Sequence, residues 1–137
     1  MNNNNSNTNN NSNTNNNINT TDATNPNRET CNTIIKGLIN KNINFLAIDF
    51  DLTLCSIHTS GRWNGTAKEL SYTLRPFMVE LLYCALLNNI CVAIVTFSCQ
   101  TTKITSVIST IYPKHLADRV IIKCSEDASW DNKSELL

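Results

Sequence analysis

Two carboxylates stand one residue apart in Asn44-Phe-Leu-Ala-Ile-Asp49-Phe-Asp51-Leu-Thr53-Leu54, directly after an apolar run of strand length. Successive side chains of a strand alternate between its faces, so positions i and i+2 point the same way. At the end of such a strand, Asp49 and Asp51 can bring their carboxylates together beyond its tip. Inside a buried strand the same pair would be costly without partners, and Asp is depleted in strands generally. A solvated strand end or an Asx-turn is the plainer alternative. The pair is a poor way to build a core and a good way to build a phosphate and metal site. A second apolar run, Ile90-Cys-Val-Ala-Ile-Val-Thr96-Phe97, also ends in a polar residue. Thr96 alone says little, because Thr is an ordinary strand residue.

The elements that would position these residues are readable around them. Ile43 to Phe50 is a near-continuous apolar run, as are Ile90 to Phe97 and the shorter Arg119-Val-Ile-Ile-Lys123. Strands buried on both faces of a parallel sheet have this pattern. Residues 28–41 carry Ile34, Ile35, Leu38 and Ile39 on one helical stripe. Pro76 opens a second helix, with Phe77, Leu81, Leu82, Ala85, Leu86 and Leu87 as its apolar face and Asn88-Asn89 as its end. Ile104, Val107, Ile108 and Ile111 line a third, which Pro113 stops. The polar tract from Leu52 to Leu74 is expected to begin as a loop or short hairpin, with a helical turn from about Thr66 to Tyr72. Within it, His58, Arg62 and Trp63 are candidates for substrate contacts; more simply, Trp63 packs the loop and Arg62 faces water. Strands alternating with helices predict an α/β fold with a parallel sheet. Ligands of such folds bind beyond the carboxyl ends of the strands, where both aspartates and Thr96 would lie.

Composition narrows the partners. Of the first nineteen residues thirteen are Asn, a polar tract that cannot bury enough apolar surface to offset chain entropy. Residues 1–27 are therefore predicted to be disordered, and 28–137 to form one small domain. There is neither the basic start nor the apolar run of a signal peptide. Eleven basic residues balance eleven acidic ones, which gives no nucleic-acid footprint and no polybasic membrane patch. No stretch approaches the ~20 apolar residues of a membrane span. The six cysteines include no C-x-x-C pair and lie mostly in apolar segments. They read as buried thiols of a reducing, cytoplasmic compartment rather than as zinc or redox ligands.

Asp49-Phe-Asp51-Leu-Thr53 after an apolar strand resembles the first motif of the haloacid dehalogenase-like (HAD) superfamily, Asp-x-Asp-x-Thr. Val92-Ala-Ile-Val-Thr96 resembles the second, an apolar strand that ends in Thr or Ser. The resemblance covers roughly residues 43 to 124. It implies a three-layer, Rossmannoid α/β domain and a Mg²⁺-dependent phosphatase acting on a phosphorylated small molecule or protein. Asp49 would be the nucleophile that takes the phosphoryl group, a role that suits a carboxylate because it attacks without first losing a proton. Asp51 would be the general acid/base. The Asp49 carboxylate and the Asp51 backbone carbonyl would hold Mg²⁺. The Thr96 hydroxyl and the Phe97 backbone N–H would bind phosphate oxygens, and Lys133 would neutralise their charge.

The family's fourth motif is a further strand ending in acidic residues. The chain reaches Leu137 without one, so the resemblance implies an incomplete core, an unfinished Mg²⁺ site and an open edge beside the first strand. Asp127 and Asp131 are alternative acids for that motif, but they read more simply as solvated tail residues. The tract between Leu54 and Leu74 is too short for a helical cap domain, which implies a small or capless enzyme. The alternative function is a catalytically inactive HAD-like remnant or a protein-interaction module. A receiver-like phosphoacceptor fits less well, because its acidic residues lie on different strands.

Overall fold

Three of the apolar runs form strands β1 (Phe45–Ile48), β2 (Cys91–Thr96) and β3 (Val120–Cys124) in the computed structural model, which describes residues 25–124. All pair in parallel, in the order β1-β2-β3. The register sets Ile48 beside Ile94 and Thr96 beside Cys124, so the carboxyl ends of the strands share one rim. β1 and β2 are shorter than the apolar runs that predict them. Asp49 and Phe50 leave the ladder for a turn, and Phe97 stands beyond the last paired residue of β2.

The helices are α1 (Arg28–Asn40), α2 (Ala67–Ser71), α3 (Pro76–Leu87), α4 (Thr101–Ile111) and the short α5 (Lys114–Ala117). Their ends follow local chemistry. Thr66 and Glu69 form a capping box at α2: Glu69 N–H donates to Thr66 Oγ1 at 3.1 Å, and Thr66 N–H donates to Glu69 Oε2 at 2.7 Å. Two orphan donors of the first turn are thereby satisfied. These hydrogen bonds from the Thr66 N–H and hydroxyl hold the Glu69 carboxyl below its usual range. α3 begins with proline, whose missing N–H costs nothing in a first turn. It ends where Asn88 Nδ2 donates to Cys84 O at 2.8 Å and Asn89 turns left-handed, at φ 58°. Asn tolerates that conformation better than most residues. α5 has no counterpart among the predicted elements, since the segment after Pro113 reads only as a connection.

Buried side chains of α1, α3 and α4, among them Ile35, Leu82 and Ile108, share one core with Ile48, Val92 and Ile94 of the sheet. Strand residues of the opposite parity behave differently: Phe45, Ala47, Cys91, Ile121 and Lys123 are exposed, while Ala93 and Val95 on the central strand are buried. The described residues thus form a helical layer and a sheet. The third layer predicted from the sequence is not among them, and within them β1 is paired on one side only. No helix of the described residues is long and apolar enough to cross a membrane.

Three expectations change. Leu87, assigned to the apolar face of α3, is half exposed, whereas Glu80 of the same helix is completely buried. Glu80 forms an ion pair with Arg28 of α1, accepts from Asn25 Nδ2 at 2.7 Å, and receives the Cys84 thiol at 3.5 Å. Asn25 belongs to the segment predicted to be disordered, yet it is tied to the domain; the rest of that segment up to residue 24 lies outside the described residues. The cysteines divide: Cys31, Cys55 and Cys84 are buried, and Cys91 and Cys99 are exposed.

Candidate active site

Asp49 continues the extended course of β1, at φ −81° and ψ 155°. Beyond it the chain makes a wide turn. Leu54 N–H donates to Asp49 O at 3.2 Å and Cys55 N–H to Phe50 O at 2.8 Å, each bond reaching back five residues. Such wide turns are uncommon and often mark functional sites. The turn is anchored by Phe50 and Leu54, which are fully buried. Strand alternation explains the rest: with Phe50 turned into the core, Asp49 and Asp51 face the other way. Leu52 is then forced left-handed, at φ 60° and ψ −3°, and donates its N–H to Ile57 O at 3.2 Å.

The following loop folds back on the aspartates. Its neck is a short antiparallel pairing in which Arg75 N–H donates to Leu54 O at 2.9 Å and Ser56 N–H to Thr73 O at 2.8 Å. A single bridge between Cys55 and Leu74 thus closes the whole tract, with α2 inside it, whereas the sequence predicts a loop or short hairpin confined to its first half. Inside it Thr59, nearly fully buried, grips Asp51. Its N–H donates to Asp51 Oδ1 at 3.1 Å, and its hydroxyl lies 2.9 Å from Oδ1 and 3.1 Å from Oδ2. One residue thereby fixes the orientation of the carboxylate with two donors. His58 Nδ1 accepts the Ser60 N–H at 2.9 Å and lies 3.9 Å from Asp51 Oδ2, too far for a hydrogen bond.

β2 delivers the opposite wall. Thr96, at its end, is buried, and its Oγ1 accepts the Ser98 N–H at 3.1 Å. Asp49 receives the Thr53 hydroxyl at a long 3.4 Å. Asp49, Asp51 and Thr96 line one cleft of about 420 Å³ together with Leu52, His58, Ser60, Gly61, Phe97 and Ser98. The two walls are fastened to each other. Trp63 N–H donates to Gln100 Oε1, Gln100 Nε2 donates to Ser98 Oγ at 3.3 Å, and Lys103 Nζ donates to Gly65 O at 2.8 Å. Gln100 thus bridges the loop that holds Asp51 and the turn that follows Thr96.

The cleft gathers Asp49, Asp51, Thr96 and Phe97 from separate stretches of sequence, and His58 with them. Arg62 is exposed and does not line it. Trp63 packs against the core and donates its indole N–H to Thr66 O at 3.1 Å, the simpler of its two expected roles. Lys133, Asp127 and Asp131 lie outside the described residues. Thr59, Ser98 and Gln100 are absent from the residues singled out by sequence. Ser98 had a faint signal, two positions past a strand end; Thr59 and Gln100 had none, since their roles depend on where a loop folds back.

For a metal, the Asp49 carboxylate and the Asp51 carbonyl are oxygen donors of the kind that Mg²⁺ takes, with water and phosphate oxygens completing its shell. Among the described residues, no cluster of three or more His, Cys, Asp or Glu side chains is placed to hold a metal ion. The donors therefore fit Mg²⁺ in type, and in number only with oxygens from substrate and solvent. No protein-family model, no curated protein and no solved structure matches the chain.

Proposed function

We propose that the chain is a Mg²⁺-dependent phosphohydrolase of the haloacid dehalogenase type that works through an aspartyl-phosphate on Asp49. The observation that carries this reading is the convergence of Asp49, Asp51 and Thr96, from the carboxyl ends of two adjacent parallel strands, on a single cleft. Ligands of open α/β sheets bind at such ends. An Asp49 oxygen attacks phosphorus and the bond to the leaving oxygen breaks. Asp51, in its protonated form, gives that oxygen its proton. Water then attacks the phosphorus, Asp51 takes the water's proton, and the bond between phosphorus and Asp49 breaks to release inorganic phosphate. The Thr96 hydroxyl and the Phe97 N–H donate hydrogen bonds to the phosphate oxygens.

Thr59 holds Asp51 on the leaving-group side throughout, through the donors described above. The Asp49 carboxylate and the Asp51 carbonyl would hold Mg²⁺, which when bound neutralises charge on the phosphate. The test is hydrolysis of a panel of phosphomonoesters by the full chain in Mg²⁺, with Asp49→Asn as the control. Loss of the nucleophile should abolish turnover, and Asp51→Asn should slow it by about 10²–10⁴-fold, the usual contribution of a positioned acid/base. Hydrolysis that survives Asp49→Asn would overturn the assignment.

A further inference from the structure

We propose that the Ser98 hydroxyl is a further donor to the phosphoryl group, beside Thr96, and that Gln100 is the residue that positions it. The proposal rests on the phosphohydrolase reading and adds a phosphate-binding residue to that site.

The directions of the hydrogen bonds around Ser98 are forced by groups that can donate and cannot accept. A backbone N–H is one such group, and a side-chain amide nitrogen is another. The Trp63 N–H points at the Gln100 amide, so the atom that faces it is Oε1. Nε2 is then turned to Ser98, 3.3 Å from its Oγ. The Ser98 oxygen must accept that bond, and its own proton is left to point elsewhere. The Ser98 N–H in turn donates to Thr96 Oγ1 at 3.1 Å, which leaves the Thr96 proton in the same position. The protein thus holds both hydroxyls as acceptors and keeps both of them available as donors.

What the two hydroxyls share is the cleft. Thr96 is 1% exposed and Ser98 4% exposed, and both line the cavity that holds Asp49 and Asp51. Among the described residues, the hydrogen bonds of these two oxygens are those they accept, from the Ser98 N–H and from Gln100. A buried hydroxyl proton without an acceptor is costly, so the acceptor is expected to come from what enters the cleft. Phosphoryl oxygens accept and do not donate, and hydrogen bonds to such charged oxygens are strong ones. Closing the turn after β2 needs only the Ser98 N–H, which almost any residue would supply. The hydroxyl, and the glutamine that orients it, serve something more.

The test uses the full chain in Mg²⁺, with inorganic phosphate as the probe in isothermal titration calorimetry and phenyl phosphate as the substrate; Asp49→Asn is carried alongside. Ser98→Ala removes the hydroxyl and keeps the N–H that Thr96 accepts. It should weaken phosphate binding by about tenfold or more, the scale of a hydrogen bond to a charged group, and lower kcat/KM by about 10²-fold. Ser98→Thr should recover most of both. Gln100→Glu can still accept from Trp63, but its second oxygen would draw the Ser98 proton away from the cleft. It should weaken phosphate binding strongly in the otherwise unaltered chain and much less on the Ser98→Ala background, where only its added charge acts. Circular dichroism melts check that each variant is folded. Asp49-dependent turnover in which Ser98→Ala changes neither phosphate affinity nor kcat/KM overturns the proposal and leaves the phosphohydrolase reading standing. Equal effects of Gln100→Glu on the two backgrounds overturn the part assigned to Gln100. Phosphate binding that needs the Ser98 hydroxyl, without Asp49-dependent turnover, supports the donor and overturns the hydrolase reading. Absence of both binding and turnover overturns both.

Discussion

Phe50 lies between the two carboxylates and points away from them, into the core. That single alternation turns a short apolar strand into a device that presents two acids to one cavity. Leu52 is where the device stores strain. A left-handed L-residue costs about 1–2 kcal/mol, and the exposed Leu52 side chain recovers little of that by burial. Leu52→Gly should therefore stabilise the fold by about 1 kcal/mol, read as a raised urea midpoint. Thr59 gives a second residue-level expectation. Thr59→Val removes the hydroxyl donor to Asp51 and keeps the N–H. On the proposed reaction it should lower kcat by about tenfold or more, the scale of a misplaced catalytic group, with KM nearly unchanged. Thr59→Ser should restore most of the rate, whereas a residue that merely filled space would be rescued better by valine.

At the scale of elements, α1 is held to α3 by charge as well as by packing. The Arg28 guanidinium pairs with the buried Glu80 and lies 4.8 Å from the centre of the Tyr83 ring, which stacks on Tyr112. Removing one partner of a buried pair leaves an uncompensated charge, so Arg28→Met should cost about 3–5 kcal/mol in a denaturant titration. Glu80→Gln on that background should recover part of the loss. This pair shows why some of the fold was illegible in sequence. Strands and helices announce themselves by local periodicity, and α1, α3, α4 and all three strands fall close to their predicted places. Glu80 sits on a helix where a charge ordinarily marks the solvent face, and its burial follows only from an arginine more than fifty residues earlier in the chain. Thr59 was hidden for the same reason, its partner being fixed by the folding of a loop. Asp49, Asp51 and Thr96 were legible because each closes an apolar run, and a run's end is visible in sequence.

Across the whole molecule, two buried thiols, Cys31 and Cys84, couple stability to alkaline pH. Burial and the neighbouring Glu80 carboxylate push Cys84 up to about 12, and the same causes raise Cys31. In the unfolded chain these thiols titrate near the reference value of 9.0. Below that pH both states are protonated and the contribution to stability is complete. Above it the unfolded state loses protons that the native state retains, so stability falls as pH rises from about 9 toward 12. Urea midpoints measured from pH 8 to 11 should decline across that interval, and Cys84→Ala should make the decline shallower.

The bond from Trp63 to Gln100 and the one from Lys103 to Gly65 tie the loop over the cleft to the start of α4, while the strands beneath are locked by ladders and an apolar core. Leu70 and Trp63 anchor the far end of this tract in the core, but Ser56, His58, Ser60, Arg62 and Asn64 along it are exposed, and surface segments of this kind open at lower free energy than core strands. Warming should therefore unlatch this loop first. Asp51 would lose its hold from Thr59 while the sheet was still intact, and turnover would fade several degrees before the far-ultraviolet signal of the fold begins to move. A melt followed by both probes would show two temperatures. Coincident midpoints would mean that the latch and the core give way as one unit.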